Sequence, residues 1–330
     1  MKTSSFVITL LLACTSAWAS TAHAVPAAPS SSSAEPTVPE HVILFVLEGI
    51  DKPALEAGPM PVLIRLVNQG AATWSAKTVT PPLRLPAMAS LLTGLPVAKH
   101  GITWDAFEFS RGYPRPPTVF DYLDLSGGRD SAIFFMDESL YQLAKPEPYT
   151  DYQMCGPLKP ECSPDRLVSY ITQYVKKAAS GYGYGHAIPA LPHLLVVHLP
   201  DGGRAGVERG WTSKDYRAAL QSVDRAMGSV LALYREHGLL KRTTVFVTSL
   251  NGTGAATGQS TTVSSIVPWI ASGVGIKHGQ AIRQPVSIVD TGATVLRAFR
   301  LETHTEWDSR AVEEIFRDTS VVSVIPTKEQ

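Results

Sequence analysis

PPLRLPAMASLLTGLPVAKHGI, Pro81 to Ile102, is the most informative stretch of this chain. Leu85 to Leu92 predicts a helix, with Pro86 near its first turn, where a missing N–H removes no helical hydrogen bond. A helix N-terminus offers free N–H groups and a partial positive charge, which favour an anion near position 84. The residue there is Arg84. Its guanidinium stays protonated and has no lone pair to attack with, but its planar fork suits phosphate, sulfate or carboxylate.

Outward from this segment the chain alternates strand and helix signals. HVILFVLEG, from His41, is a continuous apolar run of the kind buried on both faces of a parallel sheet. Ser131 to Met136, Leu194 to His198 and Thr243 to Thr248 read the same way. Between them, Met60 to Gln69 and Asp215 to His237 have helical periodicity. The pattern predicts an α/β fold, a mostly parallel sheet covered by helices on both sides, with functional loops at the strands' carboxyl ends. Glu48, Asp201 and Asn251 fall just past such ends.

The chain has 330 residues, 44% hydrophobic and 18% charged, with zero formal net charge. That suffices for one substantial core, expected over residues 41–330. No block of Lys or Arg forms a stripe for phosphates, so nucleic acid is not an expected partner. Residues 1–24 read as a signal peptide: Lys2, an apolar core from Phe6 to Ala13, then Ala22-His23-Ala24 as a cleavage site. This implies export to the periplasm or secretion. A second reading takes Leu11 to Cys14 as a lipobox, with a lipid anchor at Cys14 and an outer-membrane lipoprotein as the result. Residues 25–40, rich in Ser, Pro and Ala, should be a disordered tether. No segment is long and apolar enough for a transmembrane helix. Cys155 and Cys162, close together in MCGPLKPEC, are expected to form a disulfide in an oxidising compartment.

Four segments carry a family resemblance. Pro81–Ile102 resembles, without a gap, the nucleophile segment P-x-x-T-x-P-x-H-x-S-x-x-T-G-x-x-P-x-x-H-G-I of the alkaline-phosphatase superfamily, in its type I phosphodiesterase/nucleotide pyrophosphatase branch. Arg84 falls where the family has its Thr nucleophile, and Met88 where it has a His. VILFVLEGI is similar to the family's opening strand, and Glu48 takes the place of its metal-binding Asp. In HLPDGGRAGVERGWTSKDY the family's ligand Asp falls on Gly203 and its ligand His on Val207. VFVTSLNGTG resembles the strand ending T-x-D-H-G, and Leu250 and Asn251 occupy the Asp and His positions. A further family His has no counterpart, because none occurs between His237 and His278.

The resemblance implies an alkaline-phosphatase-like α/β/α sandwich and, in the family, two zinc ions that clamp the attacking and leaving oxygens of a phosphoric ester. Of the six ligand positions only that of Glu48 keeps a metal-capable carboxylate, so no cofactor is expected here. The leading expectation is an exported pseudoenzyme that binds an anionic ligand or a partner without hydrolysis, in which Arg84 replaces the metal beside Glu48, holds the anionic ligand, or does both. Asp201 and Asn251 join Glu48 and Arg84 as candidates for that pocket. The alternative is a hydrolase of phosphodiesterase or phosphatase type acting through residues outside the family pattern. His100 and His198 match family positions and read as structural. Pro117 to Phe120 resembles the family's P-T-I-F helix start, and Asp290 reads as a helix N-cap.

Overall fold

A computed structural model describes residues 37–144, 150–154, 162–181, 190–254, 263–303 and 305–317. All of them belong to the compact unit Glu35–Gln330. The expected signal peptide, Cys14, most of the expected tether and Cys155 lie outside the described residues, and so does the expected disulfide between Cys155 and Cys162.

In chain order the elements are β1 (His41–Leu47), α1 (Ala54–Ala57), α2 (Pro61–Gln69), β2 (Ala71–Lys77), α3 (Arg84–Thr93), α4 (Val97–His100), α5 (Val119–Leu125), β3 (Ser131–Phe135), β4 (Thr150–Met154), α6 (Pro164–Ser180), β5 (Leu194–Leu199), α7 (Asp201–Arg209), α8 (Lys214–Glu236), β6 (Thr243–Ser249), β7 (Ile266–Gly273), β8 (Gln280–Ala281) and α9 (Asp290–Ala298). The strands form one sheet in the order β4-β3-β5-β1-β6-β7-β2-β8. From β4 through β6 every pairing is parallel, whereas β7 runs antiparallel to both β6 and β2. The expected α/β/α sandwich with a mostly parallel sheet is the observed fold.

Each strand feeds two cores because its side chains alternate between faces. On β1, Val42, Leu44 and Val46 pack with Leu85, Met88 and Leu92 of α3 and with Val295 and Leu296 of α9. Ile43, Phe45 and Leu47 pack on the other face, with Leu63 of α2, Ile171 of α6 and Leu220, Val223 and Met227 of α8. Such a strand has no solvent face, and all seven residues of β1 are buried.

Helix starts are set by identifiable caps. Ser213 Oγ accepts from Tyr216 N at 3.0 Å and opens α8, while Thr118 and Asp121 form a capping box on α5. The N-terminus of α2 is capped from far along the chain, where the Asp224 carboxylate on α8 accepts from Val62 N at 3.0 Å and Leu63 N at 2.9 Å. Asp290 is not the N-cap that its position suggests. It is the first residue of α9, and its oxygens accept from Ser287 N at 2.8 Å and Arg310 N at 3.0 Å, which ties the helix start to the 305–312 segment instead.

Candidate functional site

The carboxyl ends of β1 and β6, adjacent strands at the centre of the sheet, are stitched together. Leu250 N donates to Leu47 O at 2.8 Å, and Gly49 N is 2.7 Å from Asn251 Oδ1 and 3.1 Å from Asn251 O. Gly49 has φ +68, and a Cβ there would lie 2.6 Å from Gly203 Cα, so only glycine allows β1 to turn this close to α7. Tyr216 Oη completes the clamp by donating to Gly49 O at 2.6 Å. The turn delivers Glu48, 3% exposed, to the centre of the sheet's carboxyl edge.

Arg84, the first residue of α3, meets Glu48 there as a two-pronged pair. Its Nε is 2.5 Å from Glu48 Oε1 and its Nη2 is 3.0 Å from Oε2. The remaining nitrogen, Nη1, is 2.8 Å from Asp137 Oδ2. Asp137 also binds Arg204, whose Nη2 is 3.1 Å from the same oxygen and donates to Met136 O as well. From the other side, His198 Nε2 lies 2.7 Å from Glu48 Oε1. Two guanidiniums and two carboxylates thus alternate in a chain, with a buried imidazole at its inner end.

Electrostatics explain why this chain holds. Burial alone pushes the Glu48 carboxyl up, but Arg84 and the His198 hydrogen bond outweigh it and keep Glu48 below the ordinary glutamate range. Asp137 follows the same logic: burial raises it, and Arg84, Ser139 and Arg204 bring it down. Burial lowers His198 despite the neighbouring carboxylate, so it is a neutral imidazole that donates from Nε2. His198 therefore orients Glu48, a more specific task than packing.

The expected N-terminus of α3 is present, but it is already served. Asp105 Oδ1 accepts from Leu85 N at 2.7 Å, so a carboxylate of the chain itself takes a free N–H that an external anion would use. Beside it lies a cleft of about 270 Å³ lined by Pro82, Leu83, Arg84, Asp105 and Glu48 on one side and by Gly203, Arg204, Val207, Glu208, Asn251 and Val263 on the other. Of the four candidates for an anion pocket, Arg84, Glu48 and Asn251 are brought together at this cleft. Asn251 spends its amide oxygen on Gly49. Asp201 is not among the lining residues. It opens α7, its Oδ2 is buried without a hydrogen-bond partner among the described residues, and burial raises its carboxyl to about 6.

Other sequence candidates take structural positions. His100 closes α4 with Nδ1 accepting from Ile102 N at 3.1 Å and Nε2 2.8 Å from Ser90 Oγ, and burial lowers its pKa to about 4. Sequence reasoning missed Asp137, Arg204 and Asp105. Asp137 could have been found, since it follows the apolar run of β3 just as Glu48 follows that of β1. Nothing local singled out Asp105 or Arg204.

Sheet order, helical layers and a charged constellation at the carboxyl ends of the central strands define a protein of the alkaline-phosphatase superfamily. The chain belongs to the type I phosphodiesterase/nucleotide pyrophosphatase family, whose profile matches residues 42–273. Among solved structures it resembles murine ectonucleotide pyrophosphatase/phosphodiesterase 5, with a TM-score of 0.64 and 12% identity over 84% of this chain and 100% of that one. A Bacteroides thetaiotaomicron structure from work on the metabolism of multiple glycosaminoglycans gives 0.66 and 15%, covering 88% of this chain and 78% of the other. A 2-O glycosaminoglycan sulfatase gives 0.63 and 11%, covering 88% and 76%. At these identities the likeness is one of fold. No curated protein sequence matches the chain.

The family resemblance implies two zinc ions, and the residues at the corresponding positions do not fit them. Gly203, Val207 and Leu250 carry no donor atom, and Asn251 is committed to Gly49. Both oxygens of Glu48 face a guanidinium. A catalytic zinc takes about three protein ligands. Among the described residues no group of three or more His, Cys, Asp or Glu side chains is placed to hold a metal ion.

Proposed function

We propose that this chain is an exported member of the family that binds at the position of the family's catalytic centre and does not hydrolyse. The observation that carries the reading is the paired contact of Arg84 with Glu48, at 2.5 and 3.0 Å. A permanent organic cation stands on the carboxylate that would hold a metal, at the residue that would be the nucleophile. Neither half of two-metal ester hydrolysis has a residue to perform it. The cleft beside the pair remains, and Arg84 and Arg204 are among the residues that line it. In this reading they receive the phosphate, sulfate or carboxylate group of a ligand. Export rests on the N-terminal segment, whose length and small-x-small ending suit a cleaved signal. A disulfide between Cys155 and Cys162 belongs to the same reading, because an exported chain matures in an oxidising compartment.

The test is direct. Purified protein incubated with zinc and bis(p-nitrophenyl) phosphate should release no nitrophenol, and elemental analysis should find no stoichiometric zinc. Zinc-dependent turnover that disappears in Glu48→Ala would restore the hydrolase reading.

A further inference from the structure

A second cavity, of about 400 Å³, shares no lining residue with the Glu48–Arg84 cleft. It opens between the segment after β1, the turn from α7 into α8 and the segment after β6. Its walls are tied together by Asp51, which is buried and accepts from Ala54 N at 3.1 Å on one side and from Thr253 N at 2.8 Å and Thr253 Oγ1 at 2.7 Å on the other. Trp211 forms the inner wall. Its ring meets Tyr216 edge-on with centroids 5.4 Å apart, and it is wedged between two glycines: a Cβ on Gly206 would lie 2.2 Å from the ring, and one on Gly254 would lie 2.3 Å from Nε1. Gly254 also lines the cavity, so the missing side chain leaves the indole N–H uncovered. Trp211 is only 6% exposed, yet its Nε1–H has no acceptor among the described residues. A donor placed this deeply calls for an acceptor. The cavity is far larger than one bridging water requires and falls in the size range of small-molecule sites.

The buried N–H narrows the ligand's chemistry. An ammonium group has no lone pair to offer it. A phosphate or carboxylate could accept from it but would share the cavity with Glu56, and the mouth, with Glu56 and Arg217 as one charge of each sign, gives an anion no net attraction. A hydroxyl accepts from an N–H and donates to a carboxylate at once. Pro53, Ala54 and Ala57 supply apolar surface for C–H groups between these polar contacts. We propose that the cavity binds a neutral, monosaccharide-sized polyol, with one hydroxyl oxygen on Trp211 Nε1–H and further hydroxyls on Glu56 and Arg217. The site stands apart from whether the Glu48–Arg84 cleft hydrolyses.

In nitrogen-15-labelled protein each Trp gives an indole N–H resonance, and the one lost in Trp211→Phe marks the site. Should that variant not fold, sequential assignment of the wild-type spectrum identifies the same resonance. Titration with glucose, galactose, mannose and N-acetylglucosamine should shift it saturably for at least one sugar, with a dissociation constant below about 10 mM, while the other indole resonances stay in place. Glu56 is exposed and its side chain bonds to nothing among the described residues, so Glu56→Ala leaves the fold alone. It should weaken the binding about tenfold, the scale of one hydrogen bond to a charged group. No shift with any of the four sugars would overturn the proposal, and so would binding that Glu56→Ala leaves unchanged. A shift with inorganic phosphate alone would overturn the neutral ligand and leave an anion site. The nitrophenyl assay reports on the other cleft, so either of its results leaves this test intact.

Discussion

The side chain of Glu48 occupies the space that any residue but glycine would need at position 203: a Cβ on Gly203 would lie 2.8 Å from Glu48 Cβ and 3.2 Å from its Oε2. A side chain at 203 meets Glu48 first at its Cβ, an atom that every residue but glycine would supply at position 48. Gly203→Ala should destabilise the protein by about 1–3 kcal/mol through overpacking. Glu48→Asp keeps that Cβ and relieves only the 3.2 Å contact with Oε2, so it should remove only a part of the penalty in the double variant. Additive effects in a urea-denaturation cycle would show that the two positions are independent.

Arg84 and Glu48 form the second coupled pair. Arg84→Met leaves a buried carboxylate without its cation and should cost about 3–5 kcal/mol. Replacing both, as Glu48→Leu with Arg84→Met, should recover a large part, because no buried charge is then left behind at position 48. Chemical denaturation of the two single variants and the double variant decides this. A cost below about 1 kcal/mol for Arg84→Met would mean that the pair behaves like a surface salt bridge.

Asp201 gives a pH signature with a definite sign. Its carboxyl is raised from 3.8 to about 6 by burial, so between these values the folded protein binds more protons there than the unfolded chain. This contribution to stability falls as pH rises through the window. Asp201→Asn removes it, so the variant should be more stable than wild type at pH 7.5. The gap should shrink as pH falls through 6 and close near 4. Melting temperatures of both proteins across this range test it, and a pH-independent gap would assign the effect to something other than titration.

Asp105 secures the start of α3 from a distant loop. Asp105→Ala frees the Leu85 N–H and should cost about 1 kcal/mol, the scale of a lost N-cap. Asp105→Asn keeps an acceptor oxygen and should cost less. Faster amide exchange at Leu85 in the alanine variant alone would locate the effect at the helix end, and equal exchange in both would remove the capping role.

The sheet was legible from the chain because a strand buried on both faces is rich in apolar and β-branched residues without alternation, and β1, β3, β5 and β6 are such strands. Glu48 and Arg84 were legible as partners because each fills a position in a gapless local pattern. Asp137 obeyed the same rule as Glu48, one residue beyond the last strand-end methionine, and was passed over. Asp224 capping α2 and Asp290 binding Arg310 had no local sign, since a carboxylate's choice of N–H donor depends on which chain ends the fold brings near.

The linear order of residues determined the α/β/α architecture and the family, which are properties of residue type at fixed spacing. Tertiary structure alone decided what Arg84 and Glu48 do together. Only folding carries Asp137 and His198, from separate strands, to within hydrogen-bonding reach of one buried pair, and brings Arg204 onto Asp137 in turn. Charge interactions act through space, so the alternation of Arg204, Asp137, Arg84 and Glu48 exists only once the carboxyl ends of β1, β3 and β5 share an edge.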